Sequence, residues 1–144
     1  LPVIDIGKDT LALIQAMFDT MRQYQAVGLG ANMVGVLKRV IVIDLTGKNP
    51  VAMINPEITF SSDATQVFEE ASLSFPGISA KITRPKTITV RYQDEAGTWN
   101  TCESTGWEAT VIQHEIDYLN GKVFLDYLPK IKQKLLLQKI KSPK

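Results

Sequence analysis

Near the start of the chain the apolar residues Leu11, Ile14, Met17, Phe18 and Met21 recur at three- and four-residue steps. That spacing puts them on one face and predicts a helix over Thr10 to Tyr24, packed on a core. A glycine-punctuated stretch, AVGLGANMVG, leads into RVIVIDL, which is almost continuously apolar and β-branched, as a well-buried strand would be. TGKNP is a turn. VAMINPEI and TQVFEEAS are further strand candidates, and TITVRYQDEAGTWNTCES alternates on either side of Asp-Glu-Ala-Gly, which predicts a hairpin. Helical periodicity returns from Trp107 to Leu119 through Val111, Ile112 and Ile116 and stops at Asn120-Gly121. A last amphipathic helix is expected from Pro129 to about residue 140, with Ile131, Leu135 and Leu136 in its apolar stripe. Strands in a block between helices predict an α+β fold, mostly antiparallel sheet around a central helix, with an N-terminal and a C-terminal helix.

Length and charge bound the rest. The 144 residues fit one domain, 1–144, large enough to bury roughly two thirds of the unfolded surface. Sixteen basic and fifteen acidic side chains leave a net charge of +1, so the overall field points neither to specific DNA binding nor to a membrane surface. The single cysteine, Cys102, excludes an internal disulfide and reads as a buried strand residue. No apolar run approaches a membrane span, and the first residues do not read as a secretory signal. A cytoplasmic or organellar location is therefore expected.

The candidate chemistry lies in VIQHEIDYLNG, residues 111–121. His114 and Glu115 begin like the zinc-hydrolase signature H-E-x-x-H, but the second histidine position holds Tyr118. On a helix, positions 114 and 118 share a face, so two imidazoles there would converge on one ion, with Glu115 activating a bound water. Taken alone, the pair is a weak signal.

Together, VGLGANMVG, EEASLSFPGISAKITRP and VIQHEIDYLNGKVFLDYL resemble, in order and spacing, the three motifs of the peptide deformylases. In that family they read approximately G-x-G-L-A-A-x-Q, E-G-C-L-S and Q-H-E-x-D-H. The resemblance implies the fold expected above and an enzyme that removes the formyl group from N-formylmethionine. The family's divalent iron, zinc or nickel is held by the cysteine and both histidines. The motif glutamate moves the proton, while the glutamine and a backbone N–H beside the cysteine stabilise the oxyanion.

Carried over by position, the ligands fall on Ser72, His114 and Tyr118, the glutamate on Glu115, the glutamine on Met33 and the backbone donor on Leu73. A serine hydroxyl is not deprotonated at neutral pH and is no substitute for a thiolate. Tyr118 is longer than imidazole and has a reference pKa of ~10, and Met33 donates no hydrogen bond. Gly28, Leu29, Leu73, Ser74, Pro76, Gly77, Arg84, Pro85, Gln113 and Gly121 match the scaffold. The expectation is a kept fold with a degenerate site, no bound cofactor, and little or no deformylase activity.

His114 and Glu115 would then be remnants, hydrogen-bonded to Tyr118 and Ser72. The rivals are a rearranged hydrolase, including a metal-free His114–Glu115 acid–base pair, and a different metal site using His114, Asp117 and Glu70. A binding module is the third alternative: Val27, Gly28, Leu29 and Gly77 would hold nascent N-terminal peptides, and the lysines after Asp126 would meet the ribosome.

Overall fold

The computed structural model describes residues 6–36, 38–71 and 78–141. Ser72, Leu73 and Gly77, with Ser74 and Pro76, lie outside the described residues. Helix α1 spans Lys8–Gln23, β1 Gly28–Gly30, β2 Val40–Ile43, β3 Val51–Ser61, β4 Thr65–Ala71, β5 Ser79–Pro85, β6 Thr87–Gln93, β7 Trp99–Thr105, α2 Gly106–Leu119 and α3 Lys130–Lys141. Short 3-10 turns cover Ala31–Val34 and Phe124–Tyr127.

Five strands form an antiparallel sheet in the order β1-β2-β3-β6-β7, and β4 pairs with β5 in a separate two-stranded sheet. The run VIVI of β2 is apolar throughout because both of its faces are covered. Val40 and Val42 belong to a buried cluster with Ile14, Met17, Phe18 and Met21 of α1. Ile41 and Ile43 belong to another with Val111, Ile112 and Ile116 of α2. Helix α2 therefore lies inside the molecule, against the large sheet and also in contact with β4 and β5. Gln66 Nε2 donates to the Gly106 carbonyl (2.6 Å) and Thr110 Oγ1 (3.0 Å), and Gln113 Nε2 donates to the Pro85 carbonyl (3.1 Å). These bonds fix the central helix against the small sheet. A third cluster joins Ile78 and Ile82 to Phe124 and Leu125, with Leu136 and Leu137 of α3 packed against it.

The α+β expectation holds, with instructive differences. The hairpin turns where predicted: Asp94 Oδ1 accepts from the backbone N–H groups of Ala96 and Thr98 (3.0 Å each), and Gly97 takes φ +83. The glycine loop is partly a strand, since β1 pairs through Leu29↔Val42. SAKITRP, read only as part of a motif, is strand β5, paired antiparallel with β4 from Ala71↔Ser79 to Thr65↔Pro85. Cys102 on β7, the strand at one end of the sheet, is half-buried rather than fully buried. Burial still pushes its thiol pKa up.

Candidate functional site

Between β1, the N-terminal half of α2 and the end of β4 opens a cleft of about 970 Å³. Val27, Gly28, Leu29 and Met33 form one wall, Glu69, Glu70 and Ala71 another, and Val111, His114 and Glu115 the floor. Tyr24 and Trp107, both exposed, stand at its rim. Gly28 is required here, because a Cβ would come within 2.9 Å of Val111 Cγ1 and 3.1 Å of Glu115 Oε2. That close approach lets β1 lie directly on α2.

His114, Glu115, Met33, Val27, Gly28 and Leu29 thus line one cleft. Tyr118 is not among the described residues lining the cleft. Its carbonyl accepts a 2.8 Å hydrogen bond from Asn32 Nδ2, tying the loop after β1 to the last turn of α2.

Among the described residues His114 Nδ1 lies 2.9 Å from Glu70 Oε1. An ionised carboxylate accepts the Nδ1 proton, which in the neutral ring leaves the Nε2 lone pair free. Glu70, 2% exposed, is also bound by Arg84, with Nε to Oε2 at 2.6 Å and Nη2 to Oε1 at 2.8 Å. Burial works against ionising Glu70, but the hydrogen bonds from Arg84 and His114 hold its carboxyl below the usual range. The second arm of Arg84, Nη1, donates to Asp117 Oδ2 at 2.7 Å, and the Tyr127 hydroxyl donates to the same oxygen. Glu70 and Asp117 therefore share a guanidinium. Among the described residues no group of three His, Cys, Asp or Glu side chains is disposed to hold an ion, the His114, Asp117 and Glu70 alternative included. Tyr127, in a loop without periodicity, carried no sequence signal.

Glu115 is different. It is 6% exposed, and its Oε1 is enclosed with no hydrogen-bond partner among the described residues. Burial, with a smaller contribution from Glu70, raises its pKa from 4.5 to about 7 against the opposing charges of His114 and Arg84. The folded protein therefore binds a proton at Glu115 that the unfolded chain has already lost between these values, so this residue's contribution to stability falls as pH rises through that window. Glu115→Gln removes the slope. Its stability relative to the parent, measured by urea unfolding, should be near zero difference at pH 4.5 and favourable by on the order of 2–3 kcal/mol at pH 8. An offset identical at both pH values would contradict the assignment.

The sequence profile described as "Polypeptide deformylase" matches residues 1–134. A protein of Rickettsia conorii named "Peptide deformylase-like" is 51% identical over 141 residues, covering 95% of this chain and 77% of its own. The peptide deformylase of Bartonella henselae is 40% identical over 145 residues, covering 98% and 82%. Among solved structures, a peptide deformylase from Legionella pneumophila superposes with a TM-score of 0.93 at 37% identity, covering 98% of this chain and 84% of that one.

Proposed function

The chain belongs to the polypeptide deformylase family, and from that premise we propose a deformylase-like protein that has lost metal-dependent removal of the formyl group from N-formylmethionyl peptides while keeping the cleft for peptide N-termini. The observation that carries this reading is the donor set. Of the three ligand positions only His114 offers a strong neutral-pH donor, beside the alcohol of Ser72 and the phenol of Tyr118. These residues do not fit a divalent ion. The nearby carboxylates do not compensate, since Arg84 engages both Glu70 and Asp117. Retention of the cleft is supported by β1, which closes one end of the five-stranded sheet and lines the cleft, offering a strand edge for an extended peptide.

Elemental analysis of the purified protein, paired with hydrolysis of formyl-Met-Ala-Ser, tests the proposal. The expected result is metal well below one ion per chain and no turnover after incubation with iron, nickel or zinc. Stoichiometric metal with turnover would overturn it. The rival reading, an amide hydrolase with a rearranged site, is favoured by the Glu70–His114 pair, which orients a lone imidazole nitrogen. Turnover without metal would select it.

As a partner we propose the ribosome, through α3. Lys130, Lys132 and Lys134 are exposed beside Ile131 (66% exposed) and Leu135 (57%), and no acidic residue follows Asp126. Among the described residues no helix is long and apolar enough to cross a membrane.

A further inference from the structure

We infer that a second pocket, at the other end of α2 from the cleft, binds a free amino acid with an aliphatic side chain, held by both of its charges. The pocket has a volume of about 650 Å³, a size usual for small-molecule sites. It lies where the C-terminal end of α2, with Ile116 and Asn120, faces the middle of β3 and the first residue of β7. It shares no lining residue with the cleft, so the inference stands apart from the proposed function.

Arg39 and Glu57 bring opposite charges to this pocket. Arg39 Nη1 donates to Asn120 Oδ1 at 2.8 Å, which orients the guanidinium and uses only one of its five N–H groups. Among the described residues the other four have no partner, and the Glu57 carboxylate has neither hydrogen bond nor ion pair. Asp117 also lines the pocket, but Arg84 and Tyr127 already bind its carboxylate. The backbone sets Glu57 beside Arg39. The register of β3 on β6 shifts between Ile54 and Glu57, so that three steps along β3 match two along β6. Within this bulge Asn55 takes φ +53, a conformation that side-chain-bearing residues rarely adopt. Its backbone N–H donates to the Arg39 carbonyl, and its Nδ2 donates to Gln93 Oε1, both at 2.8 Å. Bulges of this kind re-aim side chains at sites.

A free amino acid at neutral pH carries both complements. Its carboxylate matches the guanidinium fork, and its ammonium matches Glu57 and the carbonyl end of α2. A ligand with one charge leaves either Arg39 or Glu57 unanswered. Ile58 and Ile116 offer apolar surface to an aliphatic side chain, together with the ring of Trp99. That ring is 45% exposed and is oriented by Arg91, whose Cζ lies 3.7 Å from its centroid.

NMR titration of the whole chain with L-leucine, 4-methylpentanoate and 3-methylbutylamine tests the inference, because the last two each lack one of leucine's charges. Leucine should give saturable shifts at the Trp99 indole N–H and the Glu57 and Ile58 amides. Each analogue should bind about tenfold or more weakly than leucine, the discrimination of a charged hydrogen bond. Arg39→Gln should weaken leucine to the same degree and leave 3-methylbutylamine unchanged. Glu57→Gln should weaken leucine and leave 4-methylpentanoate unchanged. Glu57 is exposed and unpaired, so this second variant decides the matter if Arg39→Gln does not fold. Absence of a saturable shift at Trp99 with leucine would overturn the inference. So would an analogue that binds as well as leucine, or a leucine affinity unchanged in Glu57→Gln.

Discussion

The combined substitution Ser72→Cys, Tyr118→His and Met33→Gln should yield a protein that holds a divalent ion and hydrolyses formyl-Met-Ala-Ser. The expectation rests on what the chain has kept. His114 still has Nδ1 against Glu70, the carboxylate contact that fixes ring orientation in metal sites. Glu115 still lies in the cleft, one residue along the helix. A thiolate and a second imidazole at i+4 would complete three ligands, the number catalytic zinc sites use. The double variant lacking the glutamine should bind metal but turn over about 10²–10³-fold more slowly than the triple, the usual cost of one oxyanion donor. Single substitutions should recover little, because ligands of one ion act as a unit. Metal stoichiometry and kcat/KM are the two readouts. A triple variant still free of metal would show that the cleft had changed shape along with its ligands.

How much of this was legible in the sequence follows from where each interaction lies along the chain. The stripe of α1 and the VIVI run of β2 announced themselves because their periodicity is local and both faces of β2 are buried. His114 and Glu115 were legible as motif, and Met33 as a departure from it. Strand β5 was not: SAKITRP was read only as part of a motif, although Ile82 pairs with Phe68 of β4. The contact of His114 with Glu70 was not legible: Glu70 is 44 residues away, and the packing of α2 against β4 brings the two together. Arg84 was read as scaffold, without its link to Glu70, Asp117 and Tyr127. Spacing rules reveal neighbours on one helix or strand, and this network draws on β4, β5, α2 and a 3-10 turn.

That network should also dominate stability. Arg84 and Glu70 are 3% and 2% exposed, so Arg84→Met leaves a buried carboxylate without its main counter-charge, at a cost of about 3–5 kcal/mol. Adding Glu70→Gln should return a large part of that loss, because the penalty belongs to the stranded charge rather than to the missing contacts. The pH dependence separates this from simple loss of packing. In the parent, Glu70 titrates below its unfolded value of 4.5, so its stabilising contribution is present above that pH and is lost as pH falls through the folded value. In Arg84→Met the same carboxyl is pushed upward by burial, and stability falls as pH rises through its new folded value. The gap between parent and variant should therefore be wide at pH 7.5 and narrow at pH 4. Urea unfolding at both pH values measures it, and a constant gap would mean that Arg84 acts by filling space and not by neutralising Glu70.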